Sequence, residues 1–151
     1  MSKLIETIDL VTNFYTHEGV VKALDKVSLC VDHGCTFGLV GESGCGKSVS
    51  ALSVMRLIKN PPGKIVDGQI LFEGSDILKL SEGKMRSIRG ARISMIFQEP
   101  MTSLNPVYTI GHQIAEMFVI HKKVNKKEGW QRAVETLRQV QMPSPRKRAD
   151  E

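Results

Sequence analysis

From Leu4 to Tyr15 ("LIETIDLVTNFY") and from Val20 to Val31 ("VVKALDKVSLCV") branched apolar residues alternate or cluster. A period near two predicts strands. "HEG" at His17–Gly19 predicts a turn between them, and "DHG" at Asp32–Gly34 predicts a second. Thr36–Gly41 ("TFGLVG") predicts a short apolar strand that ends in glycine. Lys47–Ile58 ("KSVSALSVMRLI") is apolar on most sides, which predicts a buried helix. "KNPPG" at Lys59–Gly63 stops it, because proline cannot continue a helix.

Gly68–Gly74 ("GQILFEG") predicts a further strand, and Ser81–Gly90 ("SEGKMRSIRG") a short amphipathic helix with Ser81 as its N-cap. Ala91–Gln98 ("ARISMIFQ") predicts a buried strand ending at Gln98, with Pro100 biasing its neighbour away from helix. After Asn105–Thr109 ("NPVYT") the period lengthens. Ile110, Ile114, Met117 and Phe118 fall on one helical face, and a second helix carries Trp130, Val134, Leu137 and Val140. These apolar and aromatic positions are read as core.

The loop between the strand at Thr36–Gly41 and the following helix changes this picture from architecture to chemistry. Gly41-Glu42-Ser43-Gly44-Cys45-Gly46-Lys47-Ser48 satisfies G-x-x-x-x-G-K-[ST]. Glycines at 41, 44 and 46 allow positive φ and bring backbone N–H groups close to phosphate oxygens. The helix that starts near Lys47 aims its unpaired amides and positive dipole end at the same anion. Lys47 is placed to reach β- and γ-phosphates, and the Ser48 hydroxyl to ligate Mg²⁺, which prefers oxygen ligands. Cys45 needs only to be small and to point outward, and as a thiol at a helix N-terminus it is expected to be sensitive to alkylation. With this loop, β-rich segments first and helices last, the order predicts an α/β nucleotide-binding core with the start of a helical subdomain.

Composition narrows the alternatives. The 151 residues are 41% hydrophobic and 25% charged, ordinary values for a globular domain. No apolar run approaches the roughly 20 residues that cross a bilayer. The formal charge is +5, but Lys and Arg are scattered, and the one dense run, Arg146-Lys147-Arg148, is read as a solvated tail. Nucleic acid is therefore not expected as a partner. Cys30, Cys35 and Cys45 form no C-x-x-C pair, and neither they nor the four isolated histidines are expected to hold a metal.

The loop with its flanks resembles the ATP-binding subunit of ABC transporters, in which the phosphate loop commonly reads G-x-S-G-x-G-K-S. Ile93–Pro106 ("ISMIFQEPMTSLNP") looks like the Q-loop of that family. "GESGCGKS", "GQILFEG" and "MTSLNP" together are similar to the ATPases of dipeptide, oligopeptide and nickel importers. The resemblance implies a P-loop NTPase (RecA-like) core with an N-terminal antiparallel β subdomain, at residues 1–108, and the start of an α-helical subdomain at 109–151. It implies ATP and Mg²⁺ as ligands, with Gln98 as the Q-loop glutamine that reaches Mg²⁺ or the attacking water. Tyr15 looks like the aromatic that stacks on adenine, with Phe14 as its rival. Many relatives have Thr after the P-loop serine; Val49 here leaves only its backbone amide for the α-phosphate.

The resemblance also implies a second ATP-binding subunit, two transmembrane permease subunits and, indirectly, a solute-binding protein, at the cytoplasmic face of the membrane. Hydrolysis in this family needs a Walker B strand ending in Asp-Glu, a signature of LSGGQ type and a switch histidine, and none is recognisable in this chain. "LSEGK" (Leu80–Lys84) precedes the Q-loop, and "ADE" (Ala149–Glu151) follows the polar "SPRKR". The chain is therefore expected to be the N-terminal part of a longer protein, poorly stable and without turnover alone. A nucleotide-binding remnant is the second reading. A soluble ABC ATPase of DNA repair or translation is the third, and "FQEPMTSLNP" argues against it.

Overall fold

The computed structural model describes residues 2–99 and 103–151, so the "PMT" of the "EPMTSLNP" stretch, including Pro100, lies outside the described residues. The alternation in the first third becomes a β-hairpin. β1 (Lys3–Thr16) and β2 (Gly19–Asp32) pair antiparallel around a His17–Glu18 turn. The Thr16 hydroxyl closes it by donating to the Gly19 carbonyl at 2.9 Å. The second expected turn also forms, with the Cys35 N–H donating to the Asp32 carbonyl. β3 (Gly63–Phe72) joins the other edge of β1 and the two-residue β4 (Ser75–Asp76) joins β3, giving an antiparallel sheet of order β2-β1-β3-β4.

β3 begins five residues earlier than the glycine-bounded "GQILFEG" suggests, directly after the proline pair. Where β1 bulges at Asp9, Gly68 faces it with φ +91°; a Cβ there would meet the Ile8 and Asp9 carbonyl oxygens at 2.6 and 2.5 Å. Only glycine fits that crossing of backbones.

The chain divides into two compact units, Met1–Met85 and Arg86–Glu151. In the first, Leu10, Leu24, Ile70, Phe72, Ile77 and Met85 are buried. Its helix α1 (Lys47–Val54) is shorter and more polar on its inner face than the sequence suggests. Ser50 and Ser53 are its buried residues, and the Ser53 and Thr12 hydroxyls share a buried hydrogen bond of 3.2 Å. The helix stops before Leu57-Ile58 because Arg56 turns to φ +51°. The Arg56 guanidinium then donates to the carbonyls of Ile77 and Leu80 at 3.1 and 2.7 Å. A 3-10 turn (Ile77–Lys79) and α2 (Glu82–Ile88) follow, with the Lys84 N–H reaching the Ser81 hydroxyl as an N-cap should.

Two expected strands do not form. Residues 35–42 have no strand pairing, and of Ala91–Gln98 only Ile93 makes a bridge, to Arg89. Val40 is 94% exposed and Ile96 93%, with Phe37, Leu39 and Phe97 also exposed. Both are apolar runs of the kind that occupy a parallel sheet covered on both faces. The described sheet is antiparallel and takes in neither of them. Without a hydrogen-bonded neighbour on either side, an apolar run stays extended coil.

The second unit is helical: α3 (Ile110–Lys122), α4 (Lys126–Gln139) and α5 (Pro145–Ala149). Thr109 caps α3 through the His112 N–H and Asn125 caps α4 through the Glu128 N–H. The expected apolar faces are displaced except at Leu137. Gly111 and Ala115 are the buried residues of α3, while Met117 is 45% exposed. On α4, Gly129, Ala133 and Leu137 are buried; Trp130 and Val134 are half-buried and Val140 is exposed. Small residues let the two helices approach closely. A Cβ on Gly129 would lie 3.1 Å from Val119 and 3.2 Å from the Ala115 carbonyl, and one on Gly111 would strike the Trp130 ring. Arg146-Lys147-Arg148 belongs to α5 and is not a loose tail; Arg148 pairs with Glu151, whose carbonyl accepts the Ile110 N–H.

Candidate functional site

The phosphate-loop residues sit together at the head of α1. Gly44 and Gly46 take φ of +85° and +92°; Gly41 does not, contrary to the expectation for all three. What Gly41 supplies is room, since a Cβ there would lie 2.6 Å from the Cys45 sulfur. Cys45 accordingly bends back toward Gly41, although its thiol is exposed.

Gly46 is the pivot. It is the N-cap of α1 and offers no side chain to the first amides of the helix. The N–H groups of Lys47, Ser48 and Val49 have no acceptor within the helix and point outward from its N-terminus. The Gly46 carbonyl is held twice by Ser50, by its N–H at 2.8 Å and its hydroxyl at 3.0 Å. A Cβ at Gly46 would meet the Ala23 carbonyl at 2.8 Å and Leu24 Cδ2 at 2.9 Å, so the loop rests directly on the backbone of β2. Sequence reasoning singled out neither Ala23 nor Ser50, because their part is backbone contact and back-bonding, which no motif spells.

Lys47 folds across the loop. Its Nζ donates to the carbonyls of Gly41 at 2.7 Å and Glu42 at 2.6 Å, and lies 3.4 Å from the Cys45 sulfur. The positive charge is thereby fixed over the loop mouth, beside the open amides. Glu42 and Ser43 are exposed along the rim, as is the Ser48 side chain at the second position of the helix; Val49 is half-buried. One cation, several unpaired N–H groups and the positive end of a helix dipole suit a phosphate group, and an exposed hydroxyl beside them suits a hard cation that takes oxygen ligands.

Tyr15 lies in the same unit, at the hairpin end of β1 opposite Val20, with its N–H donating to the Pro62 carbonyl at 2.9 Å. Its side chain is half exposed, whereas the Phe14 ring packs against Gly63. Of the two aromatic candidates, Tyr15 has the accessible face. Gln98 belongs to the second unit, exposed, lining a cleft with Phe97, Glu99 and Ser103. The three cysteines are free and exposed, and among the described residues no helix is long and apolar enough to cross a membrane.

Several known proteins are similar to this chain. A peptide ABC transporter ATP-binding protein described as probable, y4tR of Sinorhizobium fredii, is 50% identical over 145 residues, covering 96% of this chain and 43% of that protein. The oligopeptide transport ATP-binding protein OppD of Bacillus subtilis is 46% identical over 151 residues, covering 100% and 42% respectively. The dipeptide transport ATP-binding protein DppD of Escherichia coli is 43% identical over 147 residues, covering 97% and 45%. The chain thus spans less than half the length of these relatives. In fold it is similar to the dimeric structure of MJ0796, a bacterial ABC transporter cassette, with a TM-score of 0.80 at 21% identity over 97% of this chain and 60% of that one. A post-hydrolysis state of the same cassette, bound to ADP and Pi, superposes with a TM-score of 0.81 at 20% identity. Residues 24–150 match the family described as ABC transporter, a stretch that includes the whole phosphate loop, α1 and Gln98; the chain belongs to that family.

Proposed function

We propose that this chain carries the nucleotide-holding part of the ATP-binding subunit of an ABC importer for peptides or a related small solute. The observation that carries the proposal is Lys47, pinned by two carbonyls over the open amides at the head of α1. In this reading the N–H groups along Gly41–Val49 and the Lys47 ammonium hold the phosphates of ATP. Charge stabilisation and positioning carry most of phosphoryl transfer. Tyr15 stacks on the base. Ser48 would offer its hydroxyl to Mg²⁺, which would neutralise phosphate charge. Gln98 would be the Q-loop glutamine that reaches Mg²⁺ or the attacking water in the complete nucleotide site. Residues 1–108 serve as the nucleotide-binding core and 109–151 as the start of the helical subdomain.

The names of the relatives support peptides as the transported class. The partners in this reading are a second ATP-binding subunit, two permease subunits and a solute-binding protein, with this chain peripheral on the cytoplasmic face of the membrane. Closure of the two ATP-binding subunits on ATP drives transport, and hydrolysis resets them. In this reading residues 1–151 hold nucleotide without turnover, because the Walker B, signature and switch-histidine motifs that hydrolysis requires are not recognisable among them.

A fluorescent ATP analogue tests the reading. Saturable binding that ATP displaces and Lys47→Ala weakens at least tenfold is expected, with no phosphate release. Binding unaffected by Lys47→Ala would refute it.

A further inference from the structure

Within the second unit, Gln113 on the first turn of α3 makes a three-point clamp on the chain that precedes the helix. Its Nε2 donates to the Asn105 carbonyl at 3.0 Å and to the Tyr108 carbonyl at 2.9 Å. Its Oε1 accepts the Asn105 N–H at 3.0 Å. The clamped stretch is itself folded: the Asn105 side chain accepts the Val107 N–H, and the Tyr108 N–H donates to the Asn105 carbonyl. Tyr108 stacks on His112 with ring centroids 5.0 Å apart and planes 15° from parallel.

This exceeds what capping of α3 requires, since Thr109 already does that. A half-buried carboxamide that uses both donors and its acceptor on one four-residue stretch fixes that stretch relative to the helix axis. Two residues before Asn105 stands Ser103, which lines the same cleft as Gln98. Ser103 also lines the neighbouring cleft that Gln113 and Asn105 border. Ser103, two residues before the stretch that Gln113 holds, is thus shared by the two clefts.

We propose that Gln113 is a positioning residue for Gln98: by locking Asn105–Tyr108 onto α3 it anchors the chain two residues after Ser103, which lines the cleft that Gln98 also lines. The assignment of Gln98 to Mg²⁺ or water rests on the proposed function above; the positional coupling does not.

The test needs no nucleotide. The chain is made with ¹⁵N-labelled glutamine, and the side-chain amide signal of Gln98 is compared across Gln113→Leu, Gln113→Glu and, as a control on an exposed face, Gln131→Leu. Gln113→Leu removes all three hydrogen bonds at similar volume. Gln113→Glu keeps the acceptor but turns an oxygen toward two carbonyls. The expected result is a shifted or broadened Gln98 signal in both Gln113 variants and none in the control. On uniformly ¹⁵N-labelled protein, exchange of the Asn105 N–H should rise about five- to tenfold in Gln113→Leu. A Gln98 signal that stays put while Asn105 exchange rises would overturn the proposal, leaving Gln113 a local clamp. Unchanged Asn105 exchange would overturn it as well. Nucleotide binding measured on the same samples reports separately on the phosphate loop, so failure of that reading leaves this result intact.

Discussion

Gly44 and Gly46 both have positive φ, yet they stand in different surroundings, and this separates two costs that a motif lumps together. At Gly44 a Cβ meets nothing within 4 Å; at Gly46 it meets the Ala23 carbonyl at 2.8 Å and Leu24 Cδ2 at 2.9 Å. Gly44→Ala therefore incurs only left-handed backbone strain, about 1–2 kcal/mol. Gly46→Ala incurs the same strain plus overpacking against β2, which adds roughly 1–3 kcal/mol. The neighbour at Gly46 is a backbone oxygen in a paired strand, so it cannot swing aside as a side-chain tip would. With a urea m-value of about 1–3 kcal/mol/M, the unfolding midpoints should differ on the order of 1 M, Gly46→Ala being the lower. Urea titration followed by circular dichroism measures this. Equal midpoints, or a lower one for Gly44→Ala, would show that the loop does not rest on β2 as described.

Three further outcomes are expected. Val40→Lys combined with Ile96→Lys should raise the monomeric fraction in light scattering and leave the melting temperature within about 2 °C, since neither side chain is buried; increased aggregation would count against unpaired apolar segments as the cause. Thr12→Val should cost about 1–3 kcal/mol by orphaning the Ser53 hydroxyl, and adding Ser53→Ala should recover part of that loss; full additivity in chemical denaturation would mean that the two hydroxyls do not interact. Cys45 should be alkylated by iodoacetamide, and ATP analogue bound at the loop should slow its labelling several-fold relative to Cys30 and Cys35. Mass spectrometry of the three peptides decides this, and equal slowing at all three would remove the local explanation.

The parts of the fold legible in the sequence were those held by local physics. Alternation gave β1 and β2, glycine and polar pairs gave their turns, and Ser81 announced α2. The phosphate loop was legible because its glycines serve a backbone geometry that few other residues tolerate. Misreadings fell where the deciding neighbour is remote in sequence. Thr36–Gly41 and Ala91–Gln98 have strand composition, but a strand exists only with a partner. Apart from Leu137, the helical faces are displaced from the largest apolar residues because close approach of the helices, not side-chain size, decides burial there. In α3 and α4 Gly111, Ala115, Gly129 and Ala133 are buried together with Leu137, while Met117 and Val140 are exposed. Likewise α1 buries serines, which pair with a hydroxyl on β1 that no local pattern reveals. Gln113 left no signature, since its partners are mostly carbonyls.

The strand order also sets a timetable. β1 is central in the sheet although it is the first strand made, with β2 on one edge and β3 on the other. The β1–β2 hairpin can close within microseconds once Asp32 is available. Phe72 of β3 follows forty residues later. At ribosomal speeds of roughly 5–20 residues per second, that interval is about 2–8 s. For those seconds the inner edge of β1 is an open ladder, with Leu10 uncovered and the phosphate loop and α1 already emerging beside it. The nascent chain is therefore most vulnerable to mispairing before its sheet is finished, and slow codons between Asp32 and Gly63 would lengthen that window.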